Sequence, residues 1–231
     1  MISVKGLRVE QGEFALRATF EVPRGRRVAV AGPSGAGKST LLGVLGGYVP
    51  AAAGTIHVDS VDVTDTAPDA RGIAMLFQDG NLFPHLSVAQ NVGLGVRPAL
   101  RLSAAEKDRV RAALDRVGLG AFADRKPGAL SGGQQSRAAL ARVLLQRAPV
   151  LLLDEPFAAL GPALRTEMLA LTSEVVTESR ATMMMVTHAP TEVADMVDDL
   201  IFVDAGEVAP PAPAGDVLAN PPAALRAYLG G

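Results

Sequence analysis

Short apolar runs alternate along this chain with longer stretches that mix apolar and polar positions, and the alternation predicts strands followed by helices. Residues 2–9 and 14–22 read as two strands around a Gln11-Gly12-Glu13 turn. Arg27–Ala31 is a short apolar strand that runs into a glycine-rich loop, and a helix starts near Lys38 and stops at Gly46-Gly47 and Pro50. Further strands are predicted near 54–59 and 73–77, and 87–118 is more helical, with Ser103 and Glu106 spaced as a capping box. A helix over roughly 132–147 leads to the buried strand Val150–Leu153, which ends in Asp154-Glu155. A helix from Pro162 to Ser179, a strand at 181–186, a helix near 190–197 and a strand at 200–204 follow. Asp204–Glu207 reads as a hairpin turn, and the Ala- and Pro-rich tail from Pro210 turns helical at 222–229. This order is that of an α/β fold. It is read as one domain over 1–231, with a helical lobe at about 87–147 inserted in the strand–helix core.

Composition narrows the possibilities. Hydrophobic residues make up 48% of the 231, enough for a sizeable core, and the formal net charge of −2 lacks the basic excess of a nucleic-acid binder. There are no cysteines, which excludes disulfides and thiolate metal sites. No apolar run approaches the roughly 18 residues of a membrane span. The first residues, MISVKGLRVEQGEF, also lack the apolar stretch of a signal peptide. The expected compartment is the cytoplasm, and any membrane role is expected to come through partner subunits.

Three segments carry chemistry. Gly32-Pro33-Ser34-Gly35-Ala36-Gly37-Lys38-Ser39-Thr40 fits the pattern G-x-x-x-x-G-K-[ST], between an apolar strand and a helix. Phosphate oxygens must be met there by backbone N–H groups at close range, so side chains must be absent. The helix then points its positive end at the anion, Lys38 can neutralise the β- and γ-phosphates, and the Ser39 hydroxyl can ligate Mg²⁺. Val150–Glu155 is an apolar strand with two carboxylates at its C-terminal end. Asp154 suits the holding of Mg²⁺, and Glu155 the polarising of an attacking water. Leu130-Ser131-Gly132-Gly133-Gln134 puts a hydroxyl, two glycines and amides at a second helix N-terminus. Alone, this pentapeptide reads as an ordinary Ser N-cap with a glycine turn.

Taken together, and over nearly the whole chain, these segments resemble the ATP-binding subunits of ABC transporters. LSGGQ at 130–134 matches that family's signature, GPSGAGKST and VLLLDEP its Walker motifs, Gln78 in MLFQ its Q-loop, and His188 in MMMVTH its switch histidine. A lone histidine in such a place is more often a surface residue, and a lone glutamine nearly always is; position within the motif series is what singles these two out. The resemblance implies a P-loop NTPase core of the ABC ATPase type, with an antiparallel β subdomain and a helical signature subdomain. It implies ATP and Mg²⁺ as ligands and a head-to-tail homodimer. Each ATP would lie between one subunit's Gly32–Thr40 loop and the Ser131–Gln134 segment of the other. It further implies Glu155 as general base, His188 on the γ-phosphate, and Gln78 sensing the metal and the attacking water.

Two departures stand out. The family places an adenine-stacking aromatic near position 11, where this chain has Gln11; Phe14 is the nearest ring, and a core role suits it as well. The loop after the Walker B strand reads Ala158-Ala159-Leu160-Gly161, without the family's acid. Within the family the resemblance is closest to the ATPase of bacterial thiamine importers, through residues 75–102 and 154–169 and the short length, which leaves no room for a C-terminal regulatory domain. That implies membrane permease subunits as partners, a periplasmic binding protein acting indirectly, and a peripheral place on the cytoplasmic face of the inner membrane. Phe83, Pro84, Leu86 and Val88, near His85, form an apolar cluster that suits either a permease contact or the core. An importer for another small solute is the neighbouring alternative. DNA-repair and translation ATPases of the family are disfavoured. Only 91 residues separate Lys38 from Leu130, without heptads for a long coiled coil, and there is one such domain in the chain.

Overall fold

The computed structural model describes residues 1–78, 80–158 and 160–230. In chain order the elements are β1 (Ile2–Gln11), β2 (Phe14–Val22), β3 (Arg27–Ala31), α1 (Lys38–Leu45), β4 (Ala53–Val58), β5 (Val61–Asp62) and β6 (Ile73–Leu76). Then come α2 (Val88–Gly93), α3 (Ala104–Arg116), α4 (Gly132–Leu145), β7 (Val150–Asp154), α5 (Pro162–Ser179) and β8 (Thr182–Val186). Last are β9 (Asp199–Asp204), β10 (Glu207–Val208), β11 (Ala212–Pro213), α6 (Ala214–Ala219) and α7 (Ala223–Tyr228). These residues fall into two compact units. One holds Met1–Ile73, Pro149–Glu155 and the chain from Val176 onward; the other holds Ala74–Ala148 and Pro156–Val175.

The first unit is built on a sheet in the order β5-β4-β1-β2-β10-β9-β3-β8-β7. Its β5-β4-β1-β2 half is antiparallel, while β9, β3, β8 and β7 run parallel. The short β10 joins the halves, antiparallel to β9 and parallel to β2. The difference is written in the side chains. Strand β2 alternates buried and exposed positions from Leu16 to Val22, as a sheet with one wet face requires. Strands β7 and β8 are buried at every position, and β3 at all but Arg27, as parallel strands covered on both faces must be. Burial on this scale stabilises by about 1.5–3 kcal/mol for each large aliphatic side chain.

The parallel register decides where the chemistry falls. Val30 and Asp154 both pair with Val186, so β3, β8 and β7 end level with one another. In an open α/β sheet, ligands bind beyond these carboxyl ends. Three segments leave from that edge: the Gly32–Gly37 loop after β3, Glu155 after β7, and Thr187-His188 after β8.

The second unit contains α2, α3 and α4. Val88, Val92, Val110, Leu114, Val117, Leu119, Leu130, Ala138 and Ala141 form its core. The helical region expected over 87–118 is two helices, because Pro98 cannot continue the hydrogen-bond ladder. The chain turns instead, with Leu100 N–H bonded to the Arg97 carbonyl and Leu100 at φ 55°. The helix expected near 190–197 is a 3-10 segment, Pro190–Met196, whose preceding Ala189 offers no side-chain cap.

Candidate active site

Every group at the sheet edge is held by another part of the first unit. Gly32 sits at φ 152°, and a Cβ there would lie 2.0 Å from the Val203 carbonyl oxygen on β9. Gly37, the N-cap of α1, sits at φ 109°, and a Cβ there would come within 2.7 Å of Phe14 Cζ and 2.8 Å of Leu16 Cδ1. No side chain fits at either place, so the glycine pattern is a packing requirement as well as a phosphate one. The half-buried Phe14 ring therefore borders the phosphate-binding loop, and Gln11 is exposed at the end of β1.

Lys38 is buried, and its Nζ donates to the carbonyls of Gly32 at 2.8 Å and Pro33 at 2.9 Å. Burial pulls the Lys38 ammonium below its ordinary pKa, and the charges of Glu155 and Asp154 oppose that. One residue on, the Ser39 hydroxyl donates to Asp154 Oδ1 at 3.1 Å. This contact follows from topology, because α1 packs against β7 and brings its first turn to that strand's end. Asp154 is buried, and desolvation raises its pKa, with the Ser39 hydrogen bond working the other way.

Glu155 has φ 46°, in the left-handed region that non-glycine residues rarely adopt. This turn aims its carboxylate at His188, whose Nε2 lies 2.6 Å from Glu155 Oε1. Glu155 is nearly buried, with 11% of its side chain exposed, whereas His188 is 49% exposed. His188 rides on a short turn. Thr187 N–H bonds to the Val30 carbonyl on β3, and Thr187 Oγ1 accepts from Ala189 N–H. The hydroxyl of Tyr228, on α7, donates to the His188 carbonyl at 3.0 Å and stands 3.5 Å from its Nδ1. Thr187 enters the motif series only as the residue before His188 in MMMVTH, and Tyr228 belongs to none of the motifs. Thr187 had a weak signal, as a turn-forming hydroxyl directly before the histidine; Tyr228 had none.

The fold thus brings Gly32–Thr40, Asp154, Glu155 and His188 together within one unit. A Mg²⁺ ion is held by few protein groups, usually one or two oxygen ligands beside substrate phosphates and water. The adjoining hydroxyl and carboxylate of Ser39 and Asp154 are hard oxygen donors of that kind.

Ser131, Gly132, Gly133, Gln134 and Gln78 lie in the second unit. Ser131 is the N-cap of α4, in a complete capping box: Gln134 N–H donates to Ser131 Oγ at 3.3 Å, and Ser131 N–H to Gln134 Oε1 at 2.9 Å. Gly133 is fitted closely, since a Cβ would fall 2.8 Å from Leu164 Cδ2, while Gly132 faces open space. Gln78 is exposed in the turn after β6. Asn91 is fully buried and pins the segment beyond: its side chain accepts from Phe83 N–H and donates to the Phe83, Leu86 and Ser87 carbonyls. Of the apolar cluster expected there, Val88 belongs to the core, whereas Phe83 is 47% exposed. The loop at 158–161 includes Ala159, which lies outside the described residues; a Cβ on Gly161 would meet nothing within 4 Å.

Residues 16–158 match the family described as ABC transporter. The chain belongs to that family and is an ATPase of the ABC type. It is 52% identical over 230 residues to the thiamine import ATP-binding protein ThiQ of Ruegeria sp. (strain TM1040), covering all of both chains. It is 51% identical, with the same coverage, to the protein of that name from Cereibacter sphaeroides. The one from Jannaschia sp. (strain CCS1) is 48% identical, over 99% of this chain and all of that one. Among solved structures, the bacterial ABC transporter cassette MJ0796, in a dimeric structure, superposes with a TM-score of 0.83 at 30% identity, covering 93% of this chain and 99% of that one. The same cassette in a dimeric post-hydrolysis state, bound to ADP and Pi, gives the same values. Among the described residues, no helix is long and apolar enough to cross a membrane.

Proposed function

We propose that this chain is the ATPase of a thiamine importer. It would work as a head-to-tail homodimer of one-domain subunits, docked on permease subunits at the cytoplasmic face of the cell membrane, with a periplasmic binding protein delivering the solute from the other side. The observation that carries the chemical part is the 2.6 Å contact between Glu155 and His188, beside the Ser39–Asp154 pair and the phosphate-binding loop. The solute rests on full-length relatives named for thiamine import. Dimeric solved cassettes support the homodimer, and the exposed Phe83 on its pinned backbone supports a permease contact.

In this reading the backbone amides of Gly32–Thr40 and the Lys38 ammonium hold the β- and γ-phosphates of ATP. Ser39 and Asp154 would hold Mg²⁺, whose chemistry is to neutralise charge spread over the phosphate oxygens. Phe14 borders the adenine, and Ser131–Gln134 of the second copy close over the triphosphate. Glu155 accepts the proton of a water whose oxygen attacks the γ-phosphorus as the bridging bond to the β-phosphate breaks, leaving ADP and inorganic phosphate. His188 leaves Glu155 and donates through Nε2 to a γ-phosphate oxygen, which orients the phosphoryl group and frees the base.

The test is uptake of labelled thiamine by cells lacking their own importer and supplied with this chain, its neighbouring permease and its binding protein. Uptake should depend on the chain and vanish with Lys38→Ala. ATPase activity stimulated by a different solute, without thiamine uptake, would overturn the solute while leaving the ATPase intact.

A further inference from the structure

The tail beyond β10 doubles back over the first unit. Strand β11 pairs with β9, α6 packs on β9 and on Pro190–Met196, and the fully buried Leu225 anchors α7. At the end of α7, the half-buried Tyr228 ring lies 6.3 Å from the Phe202 ring, centroid to centroid. Its hydroxyl reaches His188, 40 residues earlier.

For a neutral His188 ring, the contacts dictate where the ring hydrogen lies. At 2.6 Å, Nε2 and the Glu155 oxygen cannot both be bare acceptors, so a proton lies between them. On a neutral ring beside a carboxylate, that proton is on Nε2, and Nδ1 is left as an acceptor. Which nitrogen of an imidazole carries the proton is set by the hydrogen bond the other makes. The donor within reach of Nδ1 is the Tyr228 hydroxyl, at 3.5 Å, which already holds the His188 carbonyl at 3.0 Å. A small rotation of one O–H moves its proton between the two acceptors. The Nε2–H tautomer, which the Glu155 contact favours and a Tyr228 O–H turned toward Nδ1 reinforces, is also the one that can donate to a phosphate oxygen.

We infer that Tyr228 is a positioning residue for ATP hydrolysis: from the C-terminal helix it fixes the orientation of His188 and keeps its ring in the Nε2–H tautomer. The inference rests on the role proposed above for His188. Burial, with the charge of Glu155 adding to it, raises the Tyr228 phenol pKa, so the hydroxyl keeps the proton it needs as a donor.

The experiment measures Mg-ATPase kinetics of the full chain with Tyr228→Phe, His188→Ala and the double variant. Phenylalanine keeps the ring against Phe202 and removes only the hydroxyl. With Tyr228→Phe, kcat should fall about tenfold, the lower end of the range for partners that orient a metal-bound histidine. KM for ATP and the melting temperature should hardly move. Nitrogen-15 spectra of the His188 ring should shift toward a mixture of tautomers. In the His188→Ala background, Tyr228→Phe should cost nothing more, because the two residues act as one unit. A parental kcat in Tyr228→Phe, or a further loss in the double variant, overturns the role of Tyr228. A parental rate in His188→Ala instead overturns the reading of the site itself, so the two failures are told apart.

Discussion

The molecule has two glycine-bearing helix starts of matching chemistry, and it holds them in opposite ways. The Gly32–Ser39 loop is fixed by groups far off in the chain: Val203 behind Gly32, Phe14 and Leu16 against Gly37, Asp154 on Ser39. The Ser131–Gln134 start is fixed mainly by a capping box closed within four residues, with Leu164 against Gly133 as a remote support. The first is a product of the whole sheet and is as rigid as the sheet. The second takes its local shape from the Ser131 and Gln134 hydrogen bonds and from Leu164 packed against Gly133. Remote contacts tie the first helix start to the sheet, and near ones give the second most of its local shape.

Breaking the chemistry on the rigid side should have the largest effect. Glu155→Gln should lower turnover by about 10²–10⁴-fold while ATP still binds, as measured by steady-state hydrolysis against nucleotide titration. Turnover near the parental rate would remove Glu155 as the base. Next in size is a pair of glycine substitutions. Gly32→Ala forces a Cβ onto the Val203 carbonyl in a backbone region that L-residues avoid, and should cost roughly 1–3 kcal/mol or more in denaturant unfolding. Gly132→Ala meets open space in a helical residue and should be neutral or stabilising by up to about 1 kcal/mol. Equal costs for the two would mean that the contrast between remote and local support is not real.

The smallest effect sharpens the picture of the rigid site. Desolvation raises the Asp154 pKa in the folded chain, so between its ordinary value and the raised one the native state binds more protons than the unfolded chain. The fold therefore loses stability as pH rises through that window, and above it carries the full penalty of a buried carboxylate. Asp154→Asn keeps the oxygen that accepts from Ser39 and removes the charge. The nucleotide-free variant should melt higher at pH 7.5, by about 2–4 °C for each kcal/mol relieved, and the gain should fade as pH falls toward 4. A gain independent of pH would point to packing instead of charge.

Much of this was legible in the chain. The parallel strands declare themselves as unbroken apolar runs, and the phosphate-binding loop, Asp154-Glu155 and the Ser103 capping box are local patterns that local rules decode. What was not legible depends on strand register or on docking. The level ends of β3, β8 and β7, which set Glu155 against His188, come from pairing that no window of sequence contains. Tyr228 reaches its partner because the tail folds back along β9, and an Ala- and Pro-rich segment advertises nothing of that. Strands β5, β10 and β11 have two residues each, too few for any periodicity to register.

The twin carbonyl bonds of Lys38 have a consequence for what the loop attracts. An ammonium with two oxygens already in place, at 2.8 and 2.9 Å, is not an open trap for whatever anion drifts by. It behaves as a loaded ion exchanger: an incoming ion must offer more than the peptide oxygens it displaces. A monovalent anion can replace only part of that pair, whereas a polyphosphate brings several charged oxygens at once and can engage the loop amides as well. Among small anions, the loop should thereby favour the multivalent ones before any base or sugar has been recognised.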